Sequence, residues 1–215
     1  MADGEPLQLG LDLSVRGAGV AVLASATALV EVRSGLQDVA SVAGAVRDLV
    51  EVAGSRLAGV VAARGPGSYM GVRSALAAAI GLAQARELPL GLVGSLLVVA
   101  HRVDPSPGEL LVAVAAGRGG LYLQRFSADE EQGLSRWREA GPAMAVRAGS
   151  PPSPPAGCDR LLDPEGVLGD PGTPRVDPVR SGEEALALVI RGGAYGSSGY
   201  DLVSADYGAR QGEVA

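Results

Sequence analysis

The chain has 215 residues, 47% of them hydrophobic and only 3% aromatic, so it is long enough for one domain or two small lobes around an aliphatic core. Its formal net charge of -6 speaks against a protein that grips nucleic acid through its phosphates unaided. All 18 cationic side chains are arginine, which excludes a Schiff-base lysine and a P-loop lysine alike.

Met1 to Pro6 is polar and has no basic signal-peptide start, and no apolar run reaches the roughly 18 residues of a membrane span. The chain is therefore expected to be soluble and cytoplasmic. Leu7 to Leu13 alternates loosely and ends at Asp12-Leu13-Ser14; after a Val15-Arg16-Gly17 turn, Ala18 to Ala24 reads as a second strand and Ala28 to Val32 as a third. From Asp38 to Ala53 the apolar residues Val39, Val42, Val46, Leu49, Val50 and Ala53 recur on one helical face, the pattern of a helix packed on a sheet. Ala58 to Ala62 is a short apolar run, read as a buried strand.

The stretch that follows, A-R-G-P-G-S-Y-M-G-V-R from Ala63, reads as a tight glycine turn opening a long helix. Gly65 and Gly67 can take backbone angles closed to other residues, Pro66 stiffens the turn, and Ser68 is placed to cap the helix. The helix carries two apolar stripes. Val72, Leu76, Ala79 and Ala83 form one; Gly71, Ala75, Ala78, Leu82 and Ala85 form the other, small enough to let a second helix come close. The expectation is that the first stripe faces the lobe's own sheet and the second faces a partner. A central helix buried within its own domain fits the same pattern.

Pro89 to Val93 is a further strand, and Ser95 to Ala100 begins another helix. Strand-strand-strand-helix-strand-helix-strand is the order of an RNase H-like lobe. Asp104-Pro105-Ser106-Pro107-Gly108 breaks the chain and divides it into residues 1–103 and 104–215. In the second part, Glu109 to Ala115, Gly120 to Phe126 and Leu134 to Glu139 read as strands, Gly149 to Gly157 as an irregular Pro-Ser segment, Leu161 to Val179 as turn-rich, and Gly182 to Ile190 as a helix with Glu183 and Glu184 favouring its start.

The G-P-G-S-Y-M-G turn is not a Walker A loop, because its glycine spacing differs and the lysine is missing. It still offers amides at a helix N-terminus, where an anion is favoured; an architectural turn explains it equally. Asp12-Leu13-Ser14, at the end of the first strand before a hairpin, resembles in place and type the phosphate-contacting turn of actin-like ATPases, where a carboxylate works through a hydrated metal ion and turn amides face phosphate; an aspartate that simply forms a turn fits the same residues. Asp12, Ser14, Gly65, Gly67 and Ser68 are thus the candidate nucleotide or phosphate contacts. His101, at the end of an apolar helix, reads as a partly buried or surface histidine, and as the only one it excludes paired-histidine metal sites. Cys158, the lone cysteine, excludes an internal disulfide, sits in a Pro-Gly-rich region and reads as incidental. Asp129-Glu130-Glu131 reads as a solvated loop. No metal site and no catalytic residue is expected.

These residues together resemble the bacterial TsaB (YeaZ) family over about the first hundred residues and again at the tail. Ala63 to Ala83 resembles the family's G-P-G-S-F-T-G-L-R turn and helix, with Met70 in place of the usual Thr. L-G-L-D-L-S followed by G-A-G-V-A-V-L resembles its opening D-T-S hairpin. Ser95-Leu96-Leu97 resembles its Ser-Leu helix start, and Tyr207 to Arg210 its closing Y-L-R. Ala115 to Tyr122 departs from it: Ala115, Gly117 and Gly120 stand where the family has Asp, Arg and Glu.

The resemblance implies an α/β actin-like ATPase (ASKHA) fold of two RNase H-like lobes, the second reduced. It implies a non-catalytic scaffold that pairs with a TsaD-like paralogue, with a TsaE-like ATPase joining, to place the threonylcarbamoyl group on the tRNA adenosine next to the anticodon. Contact with tRNA would be indirect, no cofactor would be held except a nucleotide at a partner interface, and the chain alone could homodimerise. An actin-like ATPase or small-molecule kinase using Asp12 is the competing reading; a peptidase finds no site here.

Overall fold

Among the described residues, twelve strands and four α-helices follow from alternating apolar runs and glycine-rich turns. The computed structural model describes residues 4–117, 119–131, 134–147, 158–168, 174–193, 196–197 and 209–210. The first half runs β1 (Leu7–Asp12), β2 (Gly19–Ala24), β3 (Leu29–Leu36), α1 (Val39–Ala53), β4 (Leu57–Ala63), α2 (Tyr69–Arg86), β5 (Leu90–Val93) and α3 (Ser95–Ala100), in the expected order. The second half contains β6 (Glu109–Gly117), β7 (Gly120–Glu131), β8 (Leu134–Glu139), β9 (Met144–Arg147), β10 (Cys158–Leu162), α4 (Gly182–Gly192), β11 (Gly196–Ser197) and β12 (Ala209–Arg210).

Two sheets result, ordered β11-β5-β4-β1-β2-β3 and β10-β6-β7-β9-β12, with β8 paired to the far half of β7. In the first sheet β1 runs antiparallel to β2 and parallel to β4, with Leu9 facing Leu23 on one side and Val60 on the other. Strand β1 is buried on both faces, which explains why its alternation is loose in the sequence. One face of this sheet packs under α1 and α2 through Leu9, Leu11, Leu49, Val72, Ala75 and Ala79. The other face packs against α3 and α4 through Val20, Val22, Val61, Leu96, Leu186 and Ile190. That second core also takes Phe126 and Trp137 from the second sheet, so it joins the two lobes. Trp137 on β8 fixes the junction by donating its indole N–H to the Val103 carbonyl at 2.9 Å.

Several expectations need correction. Helix α4 packs on β1, β2 and β3, and β11 pairs with β5, so residues 182–193 and 196–197 join the first sheet and not the second lobe and tail in which the division at 104–215 placed them. The reason is that α4 buries Ala185, Leu186, Val189 and Ile190, a full apolar face that the first sheet's uncovered side requires. Asp129 to Glu131 lies in the strand β7, paired with β8, and not in a loop. Strand β10 starts at Cys158 and pairs parallel with β6, so the cysteine belongs to a sheet. The segment Gly149–Gly157, and Tyr207 and Gly208 of the tail, lie outside the described residues. No described helix is long and apolar enough to cross a membrane.

Candidate functional site

The carboxyl ends of β1, β4 and β5 meet at one edge of the first sheet, and the two segments singled out by sequence are laced together there. Asp12 ends β1 and turns the chain, its Oδ1 accepting the Ser14 amide at 2.8 Å. The side chain is only 6% exposed, and among the described residues no cation pairs with it. Burial therefore pushes its carboxyl above the ordinary value of 3.8, while the bonds from Ser14 pull the other way. Because the folded value is the raised one, the stability this group contributes is complete below pH 3.8 and is lost as pH rises through the folded value. Asp12→Asn should remove that loss, so the stability advantage of the variant over the native chain should grow with pH between acid and neutral solution. Urea melts across that range would show it; a constant difference would contradict it.

The Gly65 turn is tied down on both sides. Gly65 donates its amide to Ser95 Oγ at 3.0 Å and its carbonyl accepts the Ser95 amide at 2.9 Å. Ser68 donates its amide to the Ser14 carbonyl at 2.6 Å, and its hydroxyl accepts the Gly71 amide at 3.4 Å as the cap of α2. Gly65 has φ 102°, open only to glycine, and precedes a cis bond to Pro66. A Cβ at Gly67 would lie 2.6 Å from the Ser14 carbonyl oxygen. Two of the loop's amides are thus consumed by the fold itself, and the turn clamps α2 to the end of β1.

The candidate phosphate contacts do not gather in one place. Ser14, Arg16, Gly67, Ser68 and Tyr69 line a cleft of about 1110 Å³ between the lobes, together with residues of the β6–β7 hairpin. Asp12 instead lines a smaller cavity of about 320 Å³ on the α3–α4 side of the sheet. Gly65 is buried and lines neither. In the cleft, Ala115 and Gly120 supply only small groups, and Glu165 Oε2 accepts the Ala115 amide at 2.7 Å. Nothing in the sequence pointed to Glu165, since it comes from a turn about fifty residues away, brought close only by the pairing of β10 with β6.

The partner stripe on α2 is also rotated from where the sequence placed it. Ala75 is fully buried, Gly71 packs against Leu13, and Ala78 and Leu82 are half-buried against the lobe's own core; of the five, only Ala85 is exposed. At about 100° per residue, the stripe one position before Val72, Leu76 and Ala79 is a flank and not the opposite face. The opposite face carries Met70, Ala77 and Gly81, with Ser74 beside them; Met70 is 65% exposed and a Cβ at Gly81 would meet nothing. Arg73 lies over the Tyr69 ring at 4.2 Å at the start of this face.

His101 lies deeper than the partly buried or surface position expected of it, and Cys158 is half-buried. His101 is buried, its Nδ1 hydrogen-bonded to the Leu97 carbonyl at 2.8 Å, and burial holds the imidazole below its ordinary range. Cys158 is raised to about 11 by burial and by the neighbouring Glu109. Under native conditions at pH 7.5, iodoacetamide should therefore label Cys158 far more slowly, by on the order of a hundredfold, than a free thiol of ordinary pKa; labelling at the free rate would refute this. Among the described residues no three His, Cys, Asp or Glu side chains converge as a metal site would require.

Comparison with known proteins places these features in context. Residues 15–145 match the family TsaD, tRNA N6-adenosine threonylcarbamoyltransferase. Over 90 residues the chain is 34% identical to the tRNA threonylcarbamoyladenosine biosynthesis protein TsaB of Escherichia coli (strain K12). That alignment covers 40% of this chain and 39% of the relative, so the chain spans about two fifths of the curated relative it matches. Among solved structures, YeaZ from Pseudomonas aeruginosa superposes with a TM-score of 0.71 at 22% identity, over 94% of this chain and 99% of that one. A second, described as an uncharacterized protein with similarity to peptidase YeaZ from Pseudomonas aeruginosa, also gives 0.71, at 21% identity and the same coverage. At that identity the likeness shows the fold, a two-lobed α/β arrangement of the actin-like type.

Proposed function

The chain belongs to the TsaD family, and from that premise and its likeness to TsaB and YeaZ we propose that it is a TsaB-type, non-catalytic subunit in tRNA threonylcarbamoyladenosine biosynthesis. In this reading it docks a TsaD-like paralogue and supports that partner's activity, and a TsaE-like ATPase joins the assembly. Docking rests on one observation, the outward face of α2. There Met70, Ala77 and Gly81 leave an apolar, low-relief surface on a helix whose inner face is already fully packed. Small residues let a second helix approach closely, and an exposed methionine adapts to varied surfaces. The α1 residue Val39, 68% exposed, adds apolar surface on the neighbouring helix. The absence of a second histidine in the chain agrees with the chemistry residing in a partner.

The test is co-expression with a TsaD-like paralogue, followed by pull-down and an assay of tRNA modification with and without this chain. Gly81→Glu and Ala77→Glu should weaken association at least about tenfold, as charges placed in an interface core do, while melting like the native chain. Undiminished association in both variants would remove α2 from the interface. Self-association of the isolated chain through the same face would be abolished by the same substitutions.

A nucleotide in the cleft is the second reading, supported by the cleft's size and by the Ser14, Gly67 and Ser68 wall. Calorimetry with ATP and magnesium on the isolated chain tests it, and tight binding with turnover would overturn the non-catalytic reading.

A further inference from the structure

The 320 Å³ cavity beside Asp12 is walled by β1–β3, α3 and the start of α4, across the first sheet from α1 and α2. Its volume lies at the small end of ligand pockets, about 300–1,000 Å³. Val15, Val20, Val98 and Val99 give it apolar sides. Its polar groups are of both signs and are not paired with one another. Asp12 is buried, and among the described residues it is bonded only to Ser14 and meets no guanidinium. Arg102 uses its Nε on the Arg180 carbonyl at 3.2 Å, and among the described residues its terminal nitrogens meet no carboxylate. At α4 the capping box pairs Ser181 with Glu184, each side chain taking the other's amide. The Gly182 and Glu183 amides beside it meet no acceptor among the described residues.

We propose that this cavity binds a small zwitterion of the α-amino-acid class, its ammonium on Asp12 and its carboxylate on Arg102 and the first amides of α4. A buried carboxyl without a cation is costly, and a ligand ammonium supplies the missing charge. Guanidinium groups and helix N-termini both favour a carboxylate. The mixed lining selects against simpler occupants. Asp12 and Glu183 repel a bare phosphate, and Arg102 repels a bare divalent cation. Apolar walls suit a small aliphatic side chain. The site stands apart from the α2 surface, so it neither requires nor competes with the docking proposed above.

Amide NMR of the full-length chain, titrated with each standard amino acid and separately with magnesium chloride and inorganic phosphate, tests the assignment. At least one amino acid should shift the Ser14, Gly182 and Glu183 resonances saturably. Its affinity should fall about tenfold or more in Asp12→Asn and in Arg102→Gln, the loss of one charged hydrogen bond. Ser34→Trp, an exposed rim position that leaves the core untouched, should block entry even where the other variants perturb the fold. The proposal is overturned if no amino acid shifts these resonances, if only magnesium or phosphate does, or if affinity is unchanged in Asp12→Asn and Ser34→Trp.

Discussion

Ala75→Glu is expected to leave the chain unfolded, although its neighbours two and six positions on tolerate the same change. Ala75 is 0% exposed and sits in the core that α2 shares with β1 and β4. A glutamate there must bury an unpaired carboxylate or push α2 off the sheet. Either costs several kcal/mol, against a total of about 5–15 kcal/mol for a domain. At Gly81 the new side chain enters open space, and glutamate exceeds glycine in helix propensity by up to about 1 kcal/mol, so Gly81→Glu should melt at or above the native temperature. Circular dichroism melts of the two variants decide the matter. A native-like melt for Ala75→Glu would mean that α2 is rotated from the position described. The contrast also governs how partner experiments are read, since loss of binding by an unfolded variant says nothing about an interface.

Gly71→Val should be nearly as damaging, for a backbone reason. A Cβ at Gly71 would lie 2.0 Å from the Leu13 carbonyl oxygen, far inside any real contact. That oxygen belongs to the turn after β1 and is no flexible side-chain tip, so the helix start or the strand end must move. Movement would also pull Ser68 from the Ser14 carbonyl, the 2.6 Å bond that joins the two motifs. The expected loss is roughly 3 kcal/mol, the range of overpacking in a rigid site. Gly44→Ala is the control: it too is a helical glycine, but its Cβ would meet nothing, and alanine there should add up to about 1 kcal/mol. Denaturant unfolding of both variants gives the comparison, and equal stabilities would refute the close approach of α2 to β1.

The first lobe was readable because its elements are punctuated locally. The periodicity from Asp38 to Ala53, the Ser68 cap and the glycine turn before it mark α1 and the start of α2 close to where they are observed, whereas β3 runs on past the expected Val32 to Leu36. Strands β9 and β10 were not anticipated: Met144–Arg147 and Cys158–Leu162 are short, flanked by Pro-rich sequence, and gain strand geometry only from the β7 and β6 edges they pair with. The site divides in the same way. The residue types near the first turn were legible, but their facing was not. Asp12 and Ser14, two apart in sequence, open into different cavities because Asp12 ends the strand and Ser14 already lies in the turn beyond it. Arg102 and Ser181 carried no sequence signal, since they meet only when α4 returns to the first sheet.

By itself the sequence determined that the chain builds an aliphatic α/β lobe, that a glycine turn launches a long helix, and that lysine and paired-histidine chemistry are excluded. These depend on residue type and on local periodicity, which the chain carries wherever it folds. Only the tertiary structure decided which face of α2 looks outward, to which lobe α4 belongs, and which polar groups share a cavity. Those depend on packing: a helix with apolar residues on more than one side buries the arc its sheet can cover, and what is left over becomes the surface.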